Sequence, residues 1–179
     1  MKRLAGLWMV FAAAGVAACT SVSSIEAVGE RAKELSPKEW EGTWMHRDHP
    51  VLVKVADARK GLLDVAWAEE KGGAFKLESY QVALRQSGEH AFGNVRETGE
   101  KGPYYWGLVS KDEGQIVVWT PDPAQCAKLV ESGVLRGSIE KGGDVILEKL
   151  SPEKLELVVS PNGGCLRWTQ PVVFFRIGG

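Results

Sequence analysis

The sequence predicts a mainly β protein: an antiparallel meander that closes into a single β-barrel-like domain, with an N-terminal helix and two short helical insertions. Three observations predict it. From Gly42 onward, short runs rich in β-branched and aromatic residues are broken by Gly and charge roughly every 8–14 residues. That is the spacing of hairpins, not of strand–helix–strand units. The domain is single, because an uncharged apolar run fills Leu4–Val16 and without the first 18 residues 161 of the 179 remain, enough for one core. Closure into a barrel then disposes of the edges that an open sheet would leave exposed.

The elements follow in chain order. Ser23 and Glu26 have capping-box spacing, and Ile25, Val28, Ala32 and Leu35 form one stripe at helical spacing, so a helix is expected over residues 24–35, weakened by Gly29. Ser36-Pro37-Lys38-Glu39 repeats the start signal for one further turn. Strands are expected at Val51–Val55, Leu62–Ala68, Phe75–Arg85, His90–Val95, Tyr104–Val109 and Gln115–Trp119. In the third of these, Phe75 and Leu77 have the opposite parity to Tyr80, Val82 and Leu84, which calls for a bulge near Glu78-Ser79 if one face is to be buried. Asp122-Pro123 opens a helix carrying Cys126, Leu129 and Val130 on one side, and Gly133 ends it. Ser151-Pro152 opens a second, shorter helix, and strands at Asp144–Leu147, Gly164–Trp168 and Pro171–Ile177 complete the chain.

Charge and composition exclude several roles. Lys2 and Arg3 lie in the leading segment, so 20 of the 22 basic residues remain against all 23 acidic ones, a net −3. There is no basic stripe, and a nucleic-acid partner is not expected. The sequence has no G-x-S-x-G elbow, Gly-rich phosphate loop, H-E-x-x-H or S-x-x-K, so no enzymatic role and no cofactor are expected.

The basic Met1-Lys2-Arg3 followed by the apolar run reads as a secretory signal peptide over residues 1–18. The run ends in Val16-Ala17-Ala18-Cys19, which resembles the lipobox of bacterial lipoproteins. The resemblance implies a diacylglycerol on the Cys19 thiol, cleavage before it, acylation of the new amino group and anchoring by two or three acyl chains. With Thr20 and not Asp after the cysteine, it also implies sorting to the outer membrane, with the domain facing the periplasm or the cell surface. Residues 19–24 then form an acylated polar tether, and 25–179 the domain.

Gly42-Thr43-Trp44, at the start of the first strand, resembles the G-x-W signature of lipocalins. In that family the Trp plugs the closed end of an eight-stranded barrel under an Arg from the last strand, a role that Arg176 would take here. The lipocalin T-D-x-x-Y motif is absent, and helices interrupt the late strands. Cys126 and Cys165 are the cysteines left after Cys19. In an oxidising compartment they are expected to form a disulfide, with two buried thiols as the alternative. His46 and His49 flank Arg47-Asp48, but strand alternation sends them to opposite faces, and with His90 as the remaining histidine no metal site is expected. Tyr104-Tyr105-Trp106 is the densest aromatic spot and a candidate contact surface.

Alternation assigns Val53, Val55, Leu63, Val65, Trp67, Tyr80, Val82, Leu84, Tyr104, Trp106, Leu108, Ile116 and Val118 to the interior. These side chains are large, so a filled interior is expected, without a cavity of roughly 300 Å³ or more. The leading expectation for function is therefore a membrane-anchored, non-enzymatic lipoprotein that binds an envelope protein or serves the envelope structurally. The alternative is a lipocalin-like carrier of a small apolar ligand. An integral outer-membrane barrel fits less well, since it needs no lipobox.

Overall fold

The computed structural model describes residues 20–71, 74–96 and 102–177, with the side chains of residues 68–71 and 74–76 excepted. The leader and Cys19 lie outside the described residues. The chain is mainly β and forms a closed, eight-stranded antiparallel barrel with three helices.

Seven consecutive strands make the meander: β3 (Gly42–His46), β4 (His49–Asp57), β5 (Leu62–Lys71), β6 (Ala74–Ser87), β7 (His90–Arg96), β8 (Tyr104–Lys111) and β9 (Gln115–Trp119). Each pairs antiparallel with the next. The last strand, β12 (Val172–Ile177), inserts between β9 and β3 and closes the barrel. Every barrel strand thus has two neighbours, which removes the free edges.

The stretch between β9 and β12 builds a second layer outside the barrel. It holds α2 (Pro123–Glu131), β10 (Gly137–Ile139), β11 (Val145–Leu147) and α3 (Pro152–Val158). The Asp122 carboxylate caps α2 by accepting from Gln125 N at 3.0 Å, and Ser151 Oγ caps α3 by accepting from Lys154 N at 3.4 Å, as their Pro-led starts require. Cys126 of α2 is disulfide-bonded to Cys165, with Cα atoms 5.2 Å apart and both residues fully buried. The bridge closes 39 residues, a constraint on the unfolded chain of about 4 kcal/mol in the loop-entropy account.

Two cores result. One fills the barrel; the other lies between the outer face of β7–β8 and the covering layer, where Phe92, Trp106 and Leu108 meet Val145, Leu155 and Leu166.

Several expectations are corrected. The helix over 24–35 does not form. Its place is taken by β1 (Val22–Ser24), an irregular segment and β2 (Arg31–Ala32), and the N-terminal helix is the single turn α1 (Pro37–Trp40). Long-range partners claim the backbone first. Val28 N donates to Asn94 Oδ1 at 2.6 Å, Asn94 Nδ2 donates to Val28 O at 3.0 Å, and Arg85 Nε donates to Gly29 O at 2.9 Å. Gly29 sits at φ +107°, and a Cβ there would meet Arg85 Cβ at 2.7 Å, so the glycine is a close-approach point. The apparent helical stripe divides: Val28 enters the outer core, Leu35 the barrel, and Ile25 stays exposed.

The tether is shorter than the sequence implies. Val22, Ser23 and Ser24 are buried, parallel to β11 and antiparallel to β8. No bulge interrupts β6 against β5, since the register runs unbroken from Leu62↔Ala83 to Lys71↔Ala74; Leu77 simply faces out, 73% exposed. Gly164–Trp168 is no strand but a loop touching Pro121 through one bridge at Leu166.

A candidate ligand chamber inside the barrel

One end of the barrel is plugged. The α1 turn lays Trp40 across it beside Trp44 of β3, both buried. Trp44 Nε1 donates to the Trp40 carbonyl at 3.0 Å, and the Arg176 guanidinium of β12 lies over the Trp44 ring at 5.2 Å. Arg176 Nη2 also donates to the carbonyls of Lys38 and Glu41, so one cation ties the last strand to the first and to the helical turn. Gly42 has φ +137°, and a Cβ there would touch Arg176 Nε at 3.6 Å, which accounts for Gly at the start of Gly42-Thr43-Trp44. The expected Trp44–Arg176 contact is present.

Behind the plug the barrel is hollow. A cavity of about 130 Å³ is walled by Val53, Leu63, Val65, Trp67, Val82 and Val109, among others, with almost no polar surface. The volume stays below the roughly 300 Å³ that the sequence excludes, although the interior is not completely filled. The side chains expected inside differ on β8. Trp106 and Leu108 point outward into the second core, while Tyr105, Gly107 and Val109 face in. Gly107 is the direct partner of Gly93 on β7, so two adjacent inward positions carry no side chain, and Val118 and Val109 close over them, 2.9 Å and 3.2 Å from where a Cβ would stand. Because both faces of β8 are buried, alternation alone could not choose between them. Gly93 and Gly107 at like parity on neighbouring strands were the missed signal.

The other end of the chamber is bordered by Trp67, Tyr80 and Phe174. Trp67 and Tyr80 stack there with centroids 4.8 Å apart and planes at 15°, and His46 packs on Phe174 at 5.2 Å. Tyr80 Oη donates to Glu78 Oε2 at 3.1 Å, and His46 Nδ1 lies 2.9 Å from the Val173 carbonyl oxygen. Polar groups thus gather at the rim while the chamber below them is carbon-lined. Such a lining suits apolar groups. It withdraws apolar groups from water, at about 0.8 kcal/mol per CH₂, in a volume comparable with cavities that stay dry and accept benzene.

The remaining candidates are placed as follows. His46 and His49 are cross-strand partners on one face, contrary to the opposite faces expected, because Arg47 at φ +53° and Asp48 make a two-residue turn that sets the pair in register. His90 is elsewhere, 3.6 Å from Glu156, and among the described residues no three metal-ligating side chains converge. The Tyr104-Tyr105-Trp106 cluster is dispersed: Trp106 is buried against Phe92, Tyr105 faces the barrel, and Arg96 lies over Tyr104 at 4.7 Å. Sequence reasoning also missed an apolar outer face. Leu52 and Phe175 are 56% and 58% exposed, and with Leu77 and Ile177 they flank Met45 and Pro50 across β12–β3–β4–β5–β6.

An eight-stranded up-and-down barrel, plugged at one end and hollow with an apolar wall, is the class that this fold and site define. Compared with family models, curated proteins and solved structures, the chain finds no match in any of the three.

Proposed function

We propose that this chain is a bacterial lipoprotein, acylated at Cys19 and anchored in the outer membrane, whose barrel is a lipocalin-like carrier of a small apolar ligand. One observation carries the choice of carriage over the envelope-interaction role that the sequence put first: the interior holds a carbon-lined chamber of about 130 Å³ with Trp67 on its wall. A barrel whose only task is to present its outer surface gains stability by filling its core. The plug of Trp44 and Arg176 supports the lipocalin-like reading.

Trp40, Trp44 and Trp67 border the chamber, so occupancy reports on itself. Titrating the mature domain with straight-chain fatty acids of increasing length is expected to give a saturable change in tryptophan emission that stops improving once the chain outgrows the cavity. No saturable change with any member of the series would contradict carriage. The apolar face around Leu52, Leu77 and Phe175 favours a second reading, an envelope protein partner docked on the barrel wall.

A further inference from the structure

We propose that the domain is seated directly on the lipid surface through the β10–β11 hairpin. This rests on the reading of Cys19 as the acylated residue.

The described fold begins at the residue after Cys19. A Cβ on Gly143 would meet Thr20 Cγ2 at 2.8 Å, so Thr20 lies against the hairpin turn. Ser21 donates twice to Asp144 Oδ1, from its backbone N and its Oγ, each at 2.7 Å, and Val145 N donates to Ser21 O at 2.8 Å. Val22 is then locked opposite Val145. Two residues, Thr20 and Ser21, separate Cys19 from Val22, a reach of at most about 11 Å over three steps, against a headgroup layer some 5–8 Å thick. No flexible spacer remains to lift the domain. The turn Glu140–Asp144, whose Glu140 and Lys141 are exposed beside the exposed Ile139, is therefore held among the headgroups by the covalent anchor. No basic patch is needed for this.

β1 is also held to the barrel wall, antiparallel to β8, with Ser24 opposite Tyr104 and Ser23 opposite Tyr105. The anchored end of the chain and the hairpin turn are thus fixed to the domain as one unit.

The test uses the full, processed chain in vesicles. Cys19 is acylated and Cys126–Cys165 is bridged, so a cysteine introduced at an exposed turn is the free thiol available for a fluorophore. With a quencher attached to the lipid headgroups, a fluorophore at Lys141→Cys is expected to be quenched several-fold more than one at Asp48→Cys. Equal quenching, or stronger quenching at position 48, would overturn the seating. Intact mass separates the two ways of failing. A chain that carries acyl mass but shows the wrong quenching refutes only the seating, whereas a chain without acyl mass that stays off the vesicles refutes the anchor and the seating with it.

Discussion

Gly93 and Gly107 face each other across β7 and β8, and Val109 and Val118 close over them, 3.2 Å and 2.9 Å from where a Cβ would stand. Val82 lines the chamber itself. Val82→Phe puts a ring into it. We expect it to abolish the fluorescence response to octanoate while costing at most about 1–3 kcal/mol of stability for overpacking, read by urea denaturation. An unchanged response would place the ligand elsewhere. Arg176 sets the other end. Arg176→Met keeps the stem but removes the charge from the Trp44 ring and the donor from Lys38 O and Glu41 O. It is expected to destabilise by about 1–3 kcal/mol, with the loss visible in the denaturation midpoint. The Trp44–Arg176 pairing was legible through the resemblance of Gly42-Thr43-Trp44 to the lipocalin signature. The chamber was not, because both faces of β8 are buried and alternation cannot say which one looks inward.

At the scale of elements, what could be read and what could not divide by the reach of the interactions. The barrel strands and the two capped helices α2 and α3 carry their signals locally, in alternation and in Asp-Pro and Ser-Pro starts, and they are where the sequence puts them. Residues 24–35 carry an equally local helical signal, yet their backbone is claimed by Asn94 and Arg85 from 56 to 66 positions away. Asn94 is almost wholly buried and also donates to Ala83 O and Phe92 O. Asn94→Ala leaves Val28 N and Val28 O without that partner inside the outer core, a cost of about 1–3 kcal/mol. Hydrogen exchange should show the loss first at Val28 N, whose protection is expected to fall toward that of surface loops. Continued full protection would mean that β2 and the Arg85 contacts alone hold the segment.

At the scale of the whole molecule, the outer layer and the chamber are one arrangement. The layer of β1, β10, β11, α2 and α3, tied by the Cys126–Cys165 bridge, covers the outer face of β7–β8 with large side chains such as Phe92 and Trp106. The same two strands carry glycine on the inside, at Gly93 and Gly107. Stability that a barrel normally draws from its interior is drawn here in part from its outside, which is how a small barrel keeps a hollow interior. The central claim is that this interior holds a small apolar molecule, and native mass spectrometry of the mature domain tests it most directly. The account predicts a discrete added mass, either copurified or acquired from octanoate, that is absent from Val82→Phe. The bare polypeptide mass alone, even after incubation with octanoate, would contradict it.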